Sequence, residues 1–132
     1  MTIVLDTNIL ISALIFGGLS ADVLDLCVLS HRIVLSDFIL REIEEKLTDK
    51  IKVPTSKVKS TIGFLKDNFE LLVPDIEIPD ICRDIDDNNI LQLAEYSNAK
   101  YIITGDQDLL VLKQYKNTVI ISNREFWTLM KA

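Results

Sequence analysis

The sequence predicts an α/β fold built on a mainly parallel sheet with helices on both faces. Three observations carry that reading. Short, β-branched apolar runs recur along the 132 residues. Stretches of helical 3.6-residue periodicity separate them. The runs are apolar throughout instead of alternating, as strands buried on both faces must be.

The elements follow in order. Ile3-Val4-Leu5 reads as a buried strand, and Asn8 to Phe16 is apolar without a clear period before Gly17-Gly18 breaks it. Ser20 is expected to cap a helix over Ala21–Leu29, with Leu24 and Val28 one turn apart. Ile33-Val34-Leu35 is a second strand. Ser36 then caps a helix whose stripe is Ile39, Ile43 and Leu47. Thr55–Asn68, after Pro54, reads as a helix with Val58, Ile62 and Leu65 inward. Leu71-Leu72-Val73 is a third strand, stopped by Pro74. A polar loop over residues 75–89 holds Asp75, Glu77, Asp80, Asp84, Asp86 and Asp87. A helix through Ile90, Leu91 and Ala94 follows, then strands Tyr101–Ile103 and Val119–Ile121 and a closing helix Arg124–Met130.

Length and composition bound the rest. The chain, 48% hydrophobic and 26% charged, reads as one domain spanning residues 1–132. No apolar run approaches the ~18–20 residues of a membrane helix. The start of the chain has no signal-peptide pattern, since Asp6 interrupts the first apolar run. A cytoplasmic protein without a membrane partner is expected. Cys27, Cys82 and the single His31 lack zinc-type spacing and read as packing residues.

The placement of the acids carries the chemistry. Asp6 follows the first strand, and Asp106 and Asp108 follow the fourth. Asp87 begins the helix before that strand, and Glu42 borders the stripe of the helix after the second. In a parallel sheet the carboxyl ends of strands and the starts of the following helices share one edge, where functional sites form. Each acid has an ordinary explanation: a helix cap for Asp87, a solvated face for Glu42 with Glu44 and Glu45, a turn for Asp106 and Asp108. Asp6 resists one, because a carboxylate next to a buried strand is partly desolvated and costly unless partnered. Carboxylates about 4 Å apart repel by about 4 kcal/mol near a protein surface, so several on one edge call for a cation. All-oxygen donors favour Mg²⁺ or Mn²⁺, with Asn8 and Thr104 as supporting neutral oxygens. Such a site works on phosphates, and hydrolytic phosphodiester cleavage is the leading reaction class.

These motifs resemble the PIN-domain family, the PilT N-terminus-like nucleases, and within it the toxins of toxin–antitoxin pairs related to VapC-like ribonucleases. LDTNILISAL (residues 5–14), CRDIDDNNILQLA (residues 82–94) and YIITGDQDLL (residues 101–110) look like the family's three acidic motifs, and SNREFW (residues 122–127) its closing segment. The resemblance implies a three-layer α/β/α sandwich with a five-stranded parallel sheet. It implies Asp6, Glu42, Asp87 and Asp106 as catalytic and metal-binding acids, with Asp108 as an accessory metal ligand. Asp87 is preferred over Asp84 and Asp86 because Ile90-Leu91 starts three residues later, which leaves Asp84 a supporting role. Ile85 departs from the proline expected there and only shapes the loop. The resemblance also implies a single-stranded RNA substrate, a homodimer and an antitoxin partner.

The formal charge of −6, from 20 acids and 14 bases, counts against a phosphate-backbone binder when taken alone. Setting aside the five proposed site acids leaves near balance. Arg41, Lys46, Lys50 and Lys52, with Lys57 and Lys59, are then candidate RNA contacts, although Glu44, Glu45 and Asp49 dilute the cluster. Apolar Phe16, Leu19 and residues 23–29 offer surface for a second copy or an antitoxin. Two other classes compete: an aspartyl phosphotransferase or phosphatase, and a non-catalytic RNA- or protein-binding module. The first is disfavoured because Asp6-Thr7-Asn8 has no second acid two residues on, and no lysine follows the fifth strand soon. The second is disfavoured by the intact acid set.

Overall fold

The structure is a computed structural model and describes residues 1–131. Six strands form one sheet: β1 (Thr2–Leu5), β2 (Arg32–Ser36), β3 (Glu70–Leu72), β4 (Tyr101–Ile103), β5 (Gln114–Tyr115) and β6 (Thr118–Ile121). Their order is β3-β2-β1-β4-β6-β5. All neighbours are parallel except β5 with β6. The five predicted strands are present. The sixth, β5, is a two-residue antiparallel addition at the edge, too short for any periodicity to announce it.

The helices are α1 (Thr7–Ile11), α2 (Gly18–Ser30), α3 (Asp37–Glu45), α4 (Thr55–Asn68), α5 (Asp87–Ser97), α6 (Gln107–Leu110) and α7 (Asn123–Lys131). Two of them widen at their ends into single π turns, α1 over Ser12–Phe16 and α3 over Lys46–Lys50. The closing bonds run from Gly17 N–H to the Ser12 carbonyl and from Ile51 N–H to the Lys46 carbonyl, both 2.9 Å. No single helix among the described residues is long and apolar enough to cross a membrane. The stretch Thr7–Phe16 and helix α2 together reach that length but are bent by 105°.

Consecutive residues of a strand point to opposite faces. Ile3, Val4 and Leu5 are all buried, as are Ile33, Val34 and Leu35, and Ile102 and Ile103. Both faces of the sheet are therefore covered by helices. Helix α3 supplies Ile39 and Ile43, with Leu47 on its π turn, and α4 supplies Val58, Ile62 and Leu65, as their periodicity predicts. Phe126 of α7 is fully buried and meets His31 and Tyr101 edge-on, at ring-centroid distances of 6.1 and 5.9 Å.

Some boundaries differ from expectation for local reasons. The stretch after Asp6 is helical because Asp6 caps it. Helix α2 starts at Gly18, behind an extended Gly17 with φ +81°, so Ser20 lies inside the helix. Its hydroxyl accepts from Asn123 Nδ2 at 2.8 Å, which ties α2 to α7. Strand β3 begins one residue earlier than the apolar run, at Glu70, whose carboxylate holds Arg32 of β2 at 2.5 and 2.8 Å. Val23, Leu24 and Cys27 are consumed by the core, so only Phe16 and Leu29 remain strongly exposed in the segment expected to carry surplus apolar surface.

Burial pushes the Cys27 thiol up to about 12 and is the largest cause raising Cys82 to about 11. Thiolates react and thiols do not. Iodoacetamide at about pH 8 is expected to leave Cys27 unmodified in the native protein and to label it rapidly after unfolding. Native-state labelling of Cys27 at the unfolded rate contradicts that packing.

Candidate active site

The chain runs from β1 outward to β3, then crosses back to place β4 on the other side of β1. The reversal point lies between β1 and β4, and a crevice opens there beyond their carboxyl ends. Asp6 leaves β1 at that point. Its backbone N–H donates to the Ile103 carbonyl of β4 at 3.1 Å. Its Oδ1 accepts from Ile9 N–H at 2.8 Å and caps α1, while Oδ2 accepts the Thr104 hydroxyl hydrogen bond. The same hydroxyl accepts from Asp106 N–H at 3.0 Å. Thr104 is fully buried and Asp6 is 6% exposed, so the pair is a rigid polar plug between the two strands.

The other acids converge on this crevice. A cleft of about 410 Å³ is lined by Asp6, Glu42, Asp84, Asp86, Asp87 and Asp106, together with Thr7, Asn8, Lys46 and Ile90. Carboxylate oxygens of Asp87, Asp106 and Asp108 lie within 4.8 Å of one another. Asp6 and Glu42 line the cleft without joining that trio. The Thr7 hydroxyl donates to Glu42 Oε1 and orients it. Glu44 and Glu45, the neighbouring candidates, do not line the cleft.

Local sequence explains each placement. Asp106 caps the short helix α6, its Oδ1 accepting from Asp108 N–H at 2.9 Å. Asp106 and Asp108 thus open a short helix, which replaces the turn weighed as their ordinary explanation. Asp84 Oδ1 accepts from Asp86 N–H at 3.0 Å, so Asp84 shapes the approach to α5 while lining the cleft. Asp87 is the first residue of α5. The loop before it is pinned by buried amides of α5: Asn88 Oδ1 accepts from Cys82 N–H at 2.8 Å, and Gln92 Nε2 donates to the Ile76 carbonyl at 2.7 Å. Sequence reasoning missed these anchors, and polar residues at helical spacing beside Ile90 and Leu91 were the available signal. It also missed Arg83, whose Nη2 donates to both oxygens of Asp108 at 3.0 and 3.1 Å. A lone base inside an acidic motif was the signal there.

Electrostatics follow from the crowding. Burial pushes the Asp6 carboxyl above the usual carboxylate range, against the hydrogen bonds from Thr104 and Ile9. Burial, then the Asp106 carboxyl, then the charges of Asp84 and Asp6 push Asp87 up to about 7. Asp87 Oδ2 is buried without a hydrogen-bond partner. A buried, unpartnered carboxylate oxygen on a residue crowded by two other carboxylates fits a hard divalent cation, since oxygen-only donors suit Mg²⁺ and Mn²⁺.

The candidate phosphate contacts separate. Lys46 lines the cleft, and its Nζ lies 3.4 Å from Asn8 Oδ1. Lys50 lines an adjoining groove. Arg41 faces Asp37 one turn away at 4.0 Å, and Lys52 is exposed with φ +60°.

A mixed α/β sheet of this strand order with clustered acids at the reversal point defines an acidic-site α/β domain. Comparison places it: the PIN domain family model matches residues 2–108, and the chain belongs to the PIN-domain family. The chain is 33% identical over 127 residues to Uncharacterized protein MJ1680 of Methanocaldococcus jannaschii, covering 92% of this chain and 81% of that protein. Its fold is similar to that of VapBC2 from Rickettsia felis, solved bound to a DNA fragment from its promoter. That match has a TM-score of 0.67 at 16% identity and covers 92% of this chain and 98% of that chain.

Proposed function

We propose that this PIN-domain protein is a divalent-metal-dependent endoribonuclease that hydrolyses single-stranded RNA, acting as the toxin of a toxin–antitoxin pair. The observation that carries the chemistry is the set of Asp87, Asp106 and Asp108 carboxylate oxygens within 4.8 Å of one another, with Asp87 Oδ2 buried and unpartnered and Asp6 lining the same cleft. Asp87, Asp106 and Asp108 would hold the ion, with Asp6 and Glu42 completing the acidic wall. When bound, Mg²⁺ or Mn²⁺ supplies Lewis-acid stabilisation of phosphoryl charge and lowers the pKa of coordinated water. The residues supply position. Asp6 and Thr104 fix the floor, Thr7 aims Glu42, and Lys46 offers a cation to a phosphate at the cleft's rim. The antitoxin partner draws support from the fold shared with VapBC2, and a homodimer is the proposed assembly.

RNA cleavage with Mg²⁺ or Mn²⁺ is the expected result, and cleavage that persists in excess EDTA overturns the metal requirement. The phosphotransfer alternative needs Asp6 as a nucleophile. Both Asp6 oxygens accept hydrogen bonds inside the protein, which suits an anchor better. A beryllofluoride adduct on Asp6 reverses that preference. Inhibition of cleavage by the product of a small neighbouring reading frame, copurifying as a complex, tests the toxin assignment.

A pH dependence follows. The Asp87 carboxyl is raised from about 4 when unfolded to about 7 when folded. A raised carboxyl means the folded state binds the proton more tightly. The contribution is present in full below about pH 4 and is lost as pH rises through about 7. The melting temperature of chelated wild type is therefore expected to fall across that window relative to Asp87→Asn. Parallel melting profiles for the two proteins exclude the effect. Because the proton must leave before a cation enters, Mg²⁺ affinity is expected to rise over the same window.

A further inference from the structure

The acidic cleft has a second compartment beside it. A solvent-open groove is lined by Ile11, Ser12, Phe16, Lys50 and Ile51, and shares Asn8 and Lys46 with the cleft. Its charge is opposite in kind. Lysines are its only charged lining residues, whereas six acids line the cleft. Its two walls are the π turns Ser12–Phe16 and Lys46–Lys50. Such wide turns are rare and concentrate at functional sites, because they re-aim side chains that an α-helix would turn elsewhere. Here they present Ser12 and Phe16 from one wall and Lys46 and Lys50 from the other. Phe16 is 72% exposed and is held immediately before Gly17, whose φ of +81° and ψ of −137° turn the chain away. An exposed ring on a backbone fixed by an N–H···O bond, in a groove shared with two lysines, matches the requirements of a nucleobase platform beside a phosphate track.

We propose that this groove binds the nucleotide flanking the scissile phosphate, with the Phe16 ring stacking on its base and Lys46 and Lys50 contacting its phosphates. The inference rests on the nuclease reading above and assigns the path by which a single strand enters. Lys46 and Asn8 form the shared rim, so the strand passes from the groove into the acidic cleft without a gap. Stacking is insensitive to base identity, whereas a duplex keeps its bases stacked inside. The groove therefore selects single strands over duplexes.

The test uses a short fluorescein-labelled single-stranded RNA, with Ca²⁺ in place of Mg²⁺ for binding and Mn²⁺ for cleavage. Phe16→Ala is expected to weaken binding about five- to a hundredfold. Phe16→Trp is expected to restore it and to show indole quenching on RNA addition. Lys50→Gln is expected to raise KM at near-constant kcat and to lower the salt slope of binding by about one, with recovery in Lys50→Arg. Val73→Ala, which removes a comparably exposed apolar side chain elsewhere, is expected to match wild type. Wild type that cleaves RNA while Phe16→Ala binds and cleaves equally well overturns the groove alone. Wild type that fails to cleave RNA with either metal overturns the nuclease reading and the groove with it. A Phe16→Ala effect confined to the sedimentation coefficient assigns the groove to a second copy of the chain, and a groove blocked only by a protein partner assigns it to that partner. Both outcomes overturn the nucleotide proposal.

Discussion

Asp6→Asn is expected to reduce RNA cleavage by about a hundredfold or more while leaving the melting temperature nearly unchanged. The asparagine keeps an oxygen to accept from Ile9 N–H, so the α1 cap survives. Its amide can donate to the Thr104 hydroxyl, whose oxygen already accepts from Asp106 N–H. What disappears is one negative charge at the base of the cleft, where desolvation makes charge most effective. Losing the charge also relieves repulsion with Asp106, which offsets any loss in hydrogen bonding. Activity and stability should therefore part company in this variant, as sites that hold repelling charges for function predict. Cleavage rates under Mn²⁺ together with thermal melts check both halves. Unchanged cleavage removes Asp6 from the machinery, and a collapse in melting temperature makes its role structural.

Phe126→Ala is expected to destabilise the protein by about 3–5 kcal/mol. The ring is fully buried and joins α7 to His31 and Tyr101 through edge-on contacts. Those aromatic geometries contribute about 0.5–1.5 kcal/mol beyond burial. Denaturant unfolding monitored by circular dichroism measures the loss, and a change under about 1 kcal/mol contradicts the packing.

The sheet was legible because its strands are short apolar runs bounded by turns, and β1, β2, β4 and β6 coincide with Ile3–Leu5, Ile33–Leu35, Tyr101–Ile103 and Val119–Ile121 within one or two residues. Helix α4 was legible to the residue, since Pro54 and the Val58-Ile62-Leu65 stripe bracket it. Helix α6 and strand β5 were not, because four and two residues carry no period. The cleft's acids were legible through their positions relative to strands. The partners that aim them were not. Thr7 meets Glu42 across 35 residues, and Arg83 meets Asp108 across 25, and such pairings arise only once the sheet closes.

The Thr104–Asp6 hydrogen bond spans 98 residues of sequence. Strand β1 acquires its β2 neighbour through the crossover of α1 and α2, but its other neighbour, β4, begins only at Tyr101. A ribosome that has delivered residues 1–100 has made Asp6, Glu42 and Asp87, yet has made neither Thr104 nor Asp106, and β1 still has an open edge. Closing so long a loop is slow and waits until β4 has been made. The acidic cleft is thereby withheld from the incomplete polypeptide, whose acids face one another only once β4 has joined β1.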